Sequence, residues 1–367
     1  MSRFIYFLII SNMVANIIAS IPRILLSESE DGAVLSMILA LFYGVFAIWV
    51  LIKCLQAFPG KSVPELFSLY LSRWIGTPVL FILGVIWYIA GLQTLIAYVA
   101  ILSRFLTPEM SIYVILASFV LILTFGILMQ SRNVLFSLEL IFVILLPFVF
   151  FFIMKTYFTE QLDWDQVRLA LTHTHKVPSY TVFAAAAYLF IGAFDLVIFN
   201  SLMKKKLVFK WKQALIIFLL GLFIMTTTYL IPIGILGFDK IEDFIYPWIS
   251  TSDSMRMKYG VIERVTFLFL LNFLAIAFLN IFIHWHVAYK LFQSTFGVDQ
   301  LPKGKRKNYS EAIMVTAFWT AGVFFTVQET EYDLFLYTGY YFNSLPVVFG
   351  GLIVLLMIIN RRAKRET

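Results

Sequence analysis

Ten stretches of this chain are apolar over the length that a lipid bilayer demands, and that repetition constrains the fold more than any other feature. A hydrocarbon core about 30 Å thick is crossed by about 20 helical residues rising about 1.5 Å each. Bounded by charge or by Pro/Gly clusters, the stretches run Phe4–Leu26, Ala33–Phe58, Pro78–Leu106, Ser111–Met129, Val134–Phe158, Pro178–Leu202, Gln213–Phe238, Ile262–Leu291, Glu311–Val327 and Leu334–Asn360. Of the 367 residues 61% are apolar and 13% charged, with a mean hydropathy of +0.90, whereas a soluble domain carries about a quarter charged residues. No single soluble core absorbs this. The sequence predicts an all-α polytopic membrane protein with ten transmembrane helices. The first run is expected to stay: Arg3 is its one basic flank, it exceeds a usual signal core, and no small-x-small cleavage site precedes Pro22.

Charge sets the expected topology. With ten spans, one side of the membrane holds Arg3, then Lys53, Lys61 and Arg73, then Arg132, then Lys204, Lys205, Lys206, Lys210 and Lys212. It continues with Lys290, Lys303, Lys305, Arg306 and Lys307 and ends in Arg361, Arg362, Lys364 and Arg365. The opposite side carries the acidic clusters Glu28–Asp31 and Glu329–Glu331. Basic residues favour the cytoplasmic side, so both termini are expected there. The net charge of +7 is thereby explained by membrane topology, and nucleic acid is not an expected partner. The single cysteine, Cys54, excludes an intramolecular disulfide and a thiolate metal cluster.

Two connections break the polar pattern. After the second run, Phe58-Pro59-Gly60-Lys61-Ser62-Val63-Pro64 opens a segment in which Val63, Phe67, Tyr70, Leu71 and Trp74 fall at helical spacing, an interfacial amphipathic helix. After the seventh, Asp239–Gly260 holds Phe244 to Ile249 among polar residues, suited to lying along the other surface. Each follows the second span of a block of five, and an odd-membered block repeated once is inserted upside down. The chain therefore reads as one membrane domain with inverted repeats over approximately 1–158 and 178–360, an architecture whose first and sixth helices break near the midplane and bind substrate. Two unrelated amphipathic linkers in a plain bundle would leave the same pattern.

Polar groups at membrane depth are costly and face the bundle interior. In span one Asn12 and Asn16 share a face, with Ala15 and Ala19 beside them. In span six Ala184–Ala187 precede Gly192, Ala193 and Asp195. Small residues allow close helix approach, and an interrupted helix exposes N–H and C=O groups suited to an amino acid's carboxylate and ammonium. Close packing alone accounts equally for the small residues. Asp195 is the sharpest single residue, fit to carry a proton, pair with a cation or fix a helix. Glu139 sits a turn and a half into span five, as a coupling acid or a snorkelling side chain. Gln93 and Thr94 in span three, with Tyr88, and Asn272 in span eight are cavity liners or interhelical contacts. Glu263 and Arg264 suit interfacial pairs. His284 and His286, at i and i+2, do not share a helical face. His173 and His175 read as loop residues. No metal site or cofactor is expected, and the Walker A, HExxH and GxSxG signatures of enzymes are missing.

Specific strings carry a resemblance. Ile21-Pro22-Arg23 closing span one, Phe58-Pro59-Gly60-Lys61-Ser62, Arg73-Trp74-Ile75-Gly76, Gly192-Ala193-Phe194-Asp195 and Glu263-Arg264-Val265-Thr266-Phe267-Leu268-Phe269 together resemble the GerAB-type spore germination proteins, in order and over nearly the whole chain. The resemblance implies the B subunit of a nutrient germinant receptor, akin to amino acid–polyamine–organocation transporters and located in the spore inner membrane. It implies an A subunit and a lipoprotein C subunit as partners and a small nutrient, often an amino acid, as ligand. The Gly-x-Gly turn usual in span one is here Ala15-Asn16-Ile17, and isoleucine lacks glycine's backbone freedom. Either the first helix is less unwound, or the ligand differs, or this paralogue senses no nutrient itself.

Three functions compete: a nutrient-sensing receptor subunit; a proton-coupled amino acid transporter using Asp195 or Glu139; and a structural subunit or a water or ion conduit. The resemblance favours the first, with Asn12, Ala15, Asn16, Gln93, Thr94, Gly192, Ala193 and Asn272 as ligand-binding candidates.

Overall fold

The computed structural model describes residues 3–18, 20–255 and 265–366. In chain order its helices are α1 (Arg3–Ala15), α2 (Ser20–Leu26), α3 (Ala33–Leu55), α4 (Val63–Tyr70), α5 (Arg73–Ile101), α6 (Ile112–Leu128), α7 (Ser131–Tyr157) and α8 (Trp164–Thr172). They continue as α9 (Tyr180–Tyr188), α10 (Leu196–Phe199), α11 (Trp211–Leu236), α12 (Pro247–Ser254), α13 (Val265–Thr295), α14 (Lys305–Gln328) and α15 (Glu331–Glu366). A π-turn, Leu102–Leu106, prolongs α5, and 3-10 turns occupy Ile191–Asp195 and Phe238–Asp243. No strand occurs among the described residues.

Among the described residues seven helices are long and apolar enough to cross a membrane, and up to nine spans result when each of two bent pairs counts as one. The fourth predicted run became α6, which at 17 residues is shorter than the others. The bent pairs are α1 with α2, turning by 60°, and α9 with Ile191–Leu202, turning by 55°. They occupy the first and sixth predicted runs. The protein is an all-α, multi-pass membrane protein.

Packing explains the order of the helices. α13 lies along α5, where the Trp285 indole donates to the Tyr88 carbonyl at 3.0 Å and stacks on the Tyr88 ring, centroids 5.5 Å apart. The Phe190 ring, at the bend of span six, sits between Gly44 of α3 and Gly221 of α11. A Cβ at either glycine would come within 2.2 Å and 2.6 Å of that ring.

Both linkers differ from expectation. Ser62 caps α4 in a reciprocal box with Glu65, but Leu71 turns extended and α5 restarts at Arg73. Val63 and Phe67 are buried while Trp74 is 91% exposed, because the break at Leu71–Ser72 takes Trp74 off their face. The second linker is drawn into the protein over its described part, Asp239–Met255, instead of lying on the lipid surface, and residues 256–260 lie outside the described residues. Trp248 of α12 is fully buried, and its indole donates to the Thr228 carbonyl at 3.1 Å. Pro232 explains this bond: it has no N–H to return to the carbonyl four residues earlier, which is that of Thr228. The connection between α7 and α9 also folds: Asp163 caps α8 through the Asp165 N–H at 2.8 Å, and α8 packs on α11. His173 and His175 follow it in a 3-10 turn.

A double-mutant cycle tests the Trp248–Pro232 relation. Trp248→Phe should cost about 1 to 2 kcal/mol by orphaning a buried carbonyl. In a Pro232→Ala background the restored N–H serves that carbonyl, and the same change should cost measurably less. Thermal unfolding in detergent reads both costs; equal losses in the two backgrounds would contradict the assignment.

Candidate functional site at the two helix breaks

Span one ends its first half at Ala15. The Asn16 side chain folds back to donate to the Asn12 carbonyl at 2.7 Å, and the Ile17 N–H reaches the Val14 carbonyl at 3.2 Å. No non-glycine residue among those described has a positive φ, so Asn16 to Ile18 enter the 60° bend without the left-handed torsions glycine would supply. Ile17 is compatible with it.

In span six α9 gives way to tighter turns: Leu189 and Phe190 donate to the Ala186 and Ala187 carbonyls, and Ala193 to Phe190. The last carbonyls of a helix have no partner in their own ladder. Here the Asn12 amide takes two of them, donating to Tyr188 O at 2.8 Å and Leu189 O at 3.2 Å. The main chains then nearly touch. A Cβ on Gly192 would lie 2.2 Å from the Leu8 carbonyl oxygen and 3.0 Å from the Asn12 Cβ.

Asn12, Ala15, Asn16, Gly192, Ala193 and Asp195 are thus all buried, and they belong to two breaks joined through one amide. Asp195, 2% exposed, accepts a hydrogen bond from the Trp87 indole of α5 at 2.6 Å. Among the described residues it has no ion pair; the salt bridges are Arg3–Glu139, Arg104–Glu331 and Arg168–Asp165. Its neighbours are aromatic: the rings of Phe194, the residue before it, and of Trp87 lie 4.3 Å and 5.6 Å from that of Phe349, centroid to centroid. Next to these residues a cavity of about 20 Å³ touches Tyr188, Ile191 and Phe194, room for about one water molecule.

The remaining candidates stand apart from the breaks. Thr94 turns its hydroxyl to Ala90 O at 3.0 Å, and Asn272 its amide to Leu268 O at 3.1 Å, each within its own helix. Gln93 is half-buried on α5. Glu139 forms a 3.0 Å ion pair with the largely exposed Arg3. Tyr88 donates to the Phe318 carbonyl at 2.8 Å, joining α5 to α14. Glu263 and Arg264 lie outside the described residues, as does Ala19.

Three further polar side chains are buried without full partnering. Tyr98 of α5 and Asn280 and His284 of α13 are buried, with the Tyr98 hydroxyl, the Asn280 carbonyl oxygen and both His284 ring nitrogens lacking a hydrogen-bond partner. Buried polar atoms are rarely left so. By contrast, His286 donates from Nδ1 to Ile127 O at 3.1 Å and lies 2.9 Å from the Ser131 hydroxyl. The sequence signal was the i, i+4 spacing of Asn280 and His284, which puts them on one face; the nearer pair of histidines drew attention away from it. α13, which carries Asn280 and His284, packs on α5 and on α1.

No curated protein matches the chain closely enough to be reported as a relative. A family profile does match, that of "Spore germination protein", and it covers residues 1–332, both breaks and every candidate residue included. With its multi-pass fold, its two bent spans and a match over most of its length, the chain belongs to the spore germination protein family.

Proposed function

We propose that this protein is the B subunit of a nutrient germinant receptor, which binds a small nutrient, an amino acid by preference, between the breaks of spans one and six. The observation that carries the reading is the Asn12 amide on the Tyr188 and Leu189 carbonyls. An N–H donor held there is the chemical counterpart of a ligand ammonium, so a nutrient competes with Asn12 for the same oxygens. Displacing it frees α1 from span six and shifts the population of the two bends. Such a change needs no covalent step and no cofactor. Partner A and lipoprotein C subunits would read it out in the spore inner membrane, with both termini cytoplasmic. The inverted relation of residues 1–158 and 178–360 is part of this proposal; the matched eight-residue linkers α4 and α12, each with proline in its first turn, support it.

Asp195 supplies a test. Asparagine there still accepts the Trp87 hydrogen bond, so Asp195→Asn should leave receptor abundance near normal while slowing nutrient-driven germination about tenfold or more. Trp87→Phe removes the donor and should lower abundance as well. An unchanged response at normal abundance would remove Asp195 from signalling. Uptake of labelled amino acids by vesicles holding this chain alone would instead favour a transporter.

A further inference from the structure

A cleft of about 490 Å³ opens on the outer surface between α3 and α11, walled by Phe42, Phe46, Trp49, Trp211, Leu215 and Phe218. Its volume is in the range of ligand pockets, about 300 to 1,000 Å³. Phe42, Phe46, Trp49, Trp211 and Leu215 are exposed, and they lie on two helices that cross the membrane, so the cleft faces acyl chains rather than water. At its deep end Phe42 meets Phe218, ring centroids 5.4 Å apart. The other end differs in chemistry. Lys210 lines it, and Lys53, one turn beyond Trp49, holds its ammonium 4.3 Å from the Trp49 ring centre.

The loop before α11 reinforces the arrangement. Leu207 and Phe209 are buried and anchor it, while Lys204, Lys205, Lys206, Lys210 and Lys212 stay exposed. Tryptophan favours the level of the headgroups, and Trp49 and Trp211 sit where the lysines begin. An aromatic trough with cations at one rim matches one class of molecule: an amphiphile with an acyl chain and a negative head.

We propose that this cleft is a binding site for an anionic phospholipid, one acyl chain lying between α3 and α11 and the phosphate held by Lys53 and Lys210. The occupancy is independent of the nutrient reading, since it rests on charge, apolar shape and the membrane fold alone. A neutral lipid or a partner's helix would fill the trough and supply neither ammonium group with a counter-charge.

Native mass spectrometry of the purified full-length protein, given dioleoylphosphatidylglycerol or dioleoylphosphatidylcholine at equal concentration, tests the site. The wild type should retain the anionic lipid selectively. Each lysine near a headgroup is worth about fivefold, so Lys53→Gln with Lys210→Gln should reduce that selectivity more than tenfold. Ala214→Trp, which fills the trough, should reduce total adducts of both lipids. Lys204→Gln, Lys205→Gln and Lys206→Gln combined should change selectivity much less. Equal retention of the two lipids by the wild type would overturn the proposal, as would selectivity that disappears only in the Lys204–Lys206 variant or a polypeptide found in the trough in place of lipid.

Discussion

Asn12→Leu should all but remove the protein from the membrane. The substitution keeps the branched shape and takes away the amide that donates to Tyr188 O and Leu189 O. Each buried carbonyl left without a donor costs about 1 to 3 kcal/mol, so the loss is about 2 to 6 kcal/mol, enough to unfold a marginal domain. Asn16→Ala, which cuts two bonds back to Asn12 in the same span, should cost about 1 to 2 kcal/mol. Melting temperature in detergent and abundance in spore membranes report both. Near-normal stability of Asn12→Leu would show that the breaks do not depend on each other.

Gly192→Ala should be nearly as severe for a different reason. The obstacle is main chain: the new Cβ would sit 2.2 Å from Leu8 O and 2.8 Å from Leu8 C, and neither can rotate away. Ordinary contact is restored only if α1 and the Ile191–Asp195 turn separate by about 1 Å, and overpacking of this kind costs about 1 to 3 kcal/mol. The response should therefore lose its dependence on nutrient even where protein survives, because the separation already pulls Asn12 off its carbonyls and leaves the ligand nothing to displace. Gly350 provides the control. A Cβ there meets nothing within 4 Å, and alanine in the middle of α15 should be neutral or stabilising by up to about 1 kcal/mol. Equal behaviour of the two variants would deny the close crossing.

Much of the architecture was legible in the order of residues, because membrane spans are written in length and hydropathy. The bends of spans one and six were legible as well, from Asn12 and Asn16 in one run and Gly192 in the other. What those amides do was not. A sequence shows that asparagine needs partners but not that Asn12 finds them 176 residues away. The burial of Trp248 was hidden for the same reason: its place follows from the missing N–H of Pro232 in another helix. Trp74 misled because periodicity ran on through Leu71, where the backbone turns extended. α8 was overlooked because its polar outer face masks the few residues, Val167 and Ala170, that it buries. Gln93, Thr94 and Asn272 are at plausible depth, yet their hydrogen bonds, where they make them, stay local. Tyr98, Asn280 and His284 had no signal beyond one i, i+4 spacing.

The claim that a nutrient binds between the two breaks is tested most directly at Ala193, which is fully buried beside Gly192. Ala193→Leu adds bulk to the site without removing a hydrogen bond, at a cost of about 1 to 3 kcal/mol, or about tenfold to a hundredfold in affinity. The measurement is germination rate against amino acid concentration, in spores matched for receptor content. The account predicts a curve shifted to higher concentration by that factor with its maximum retained; a curve that does not shift, in Ala193→Leu and in Asn16→Ala alike, would contradict it.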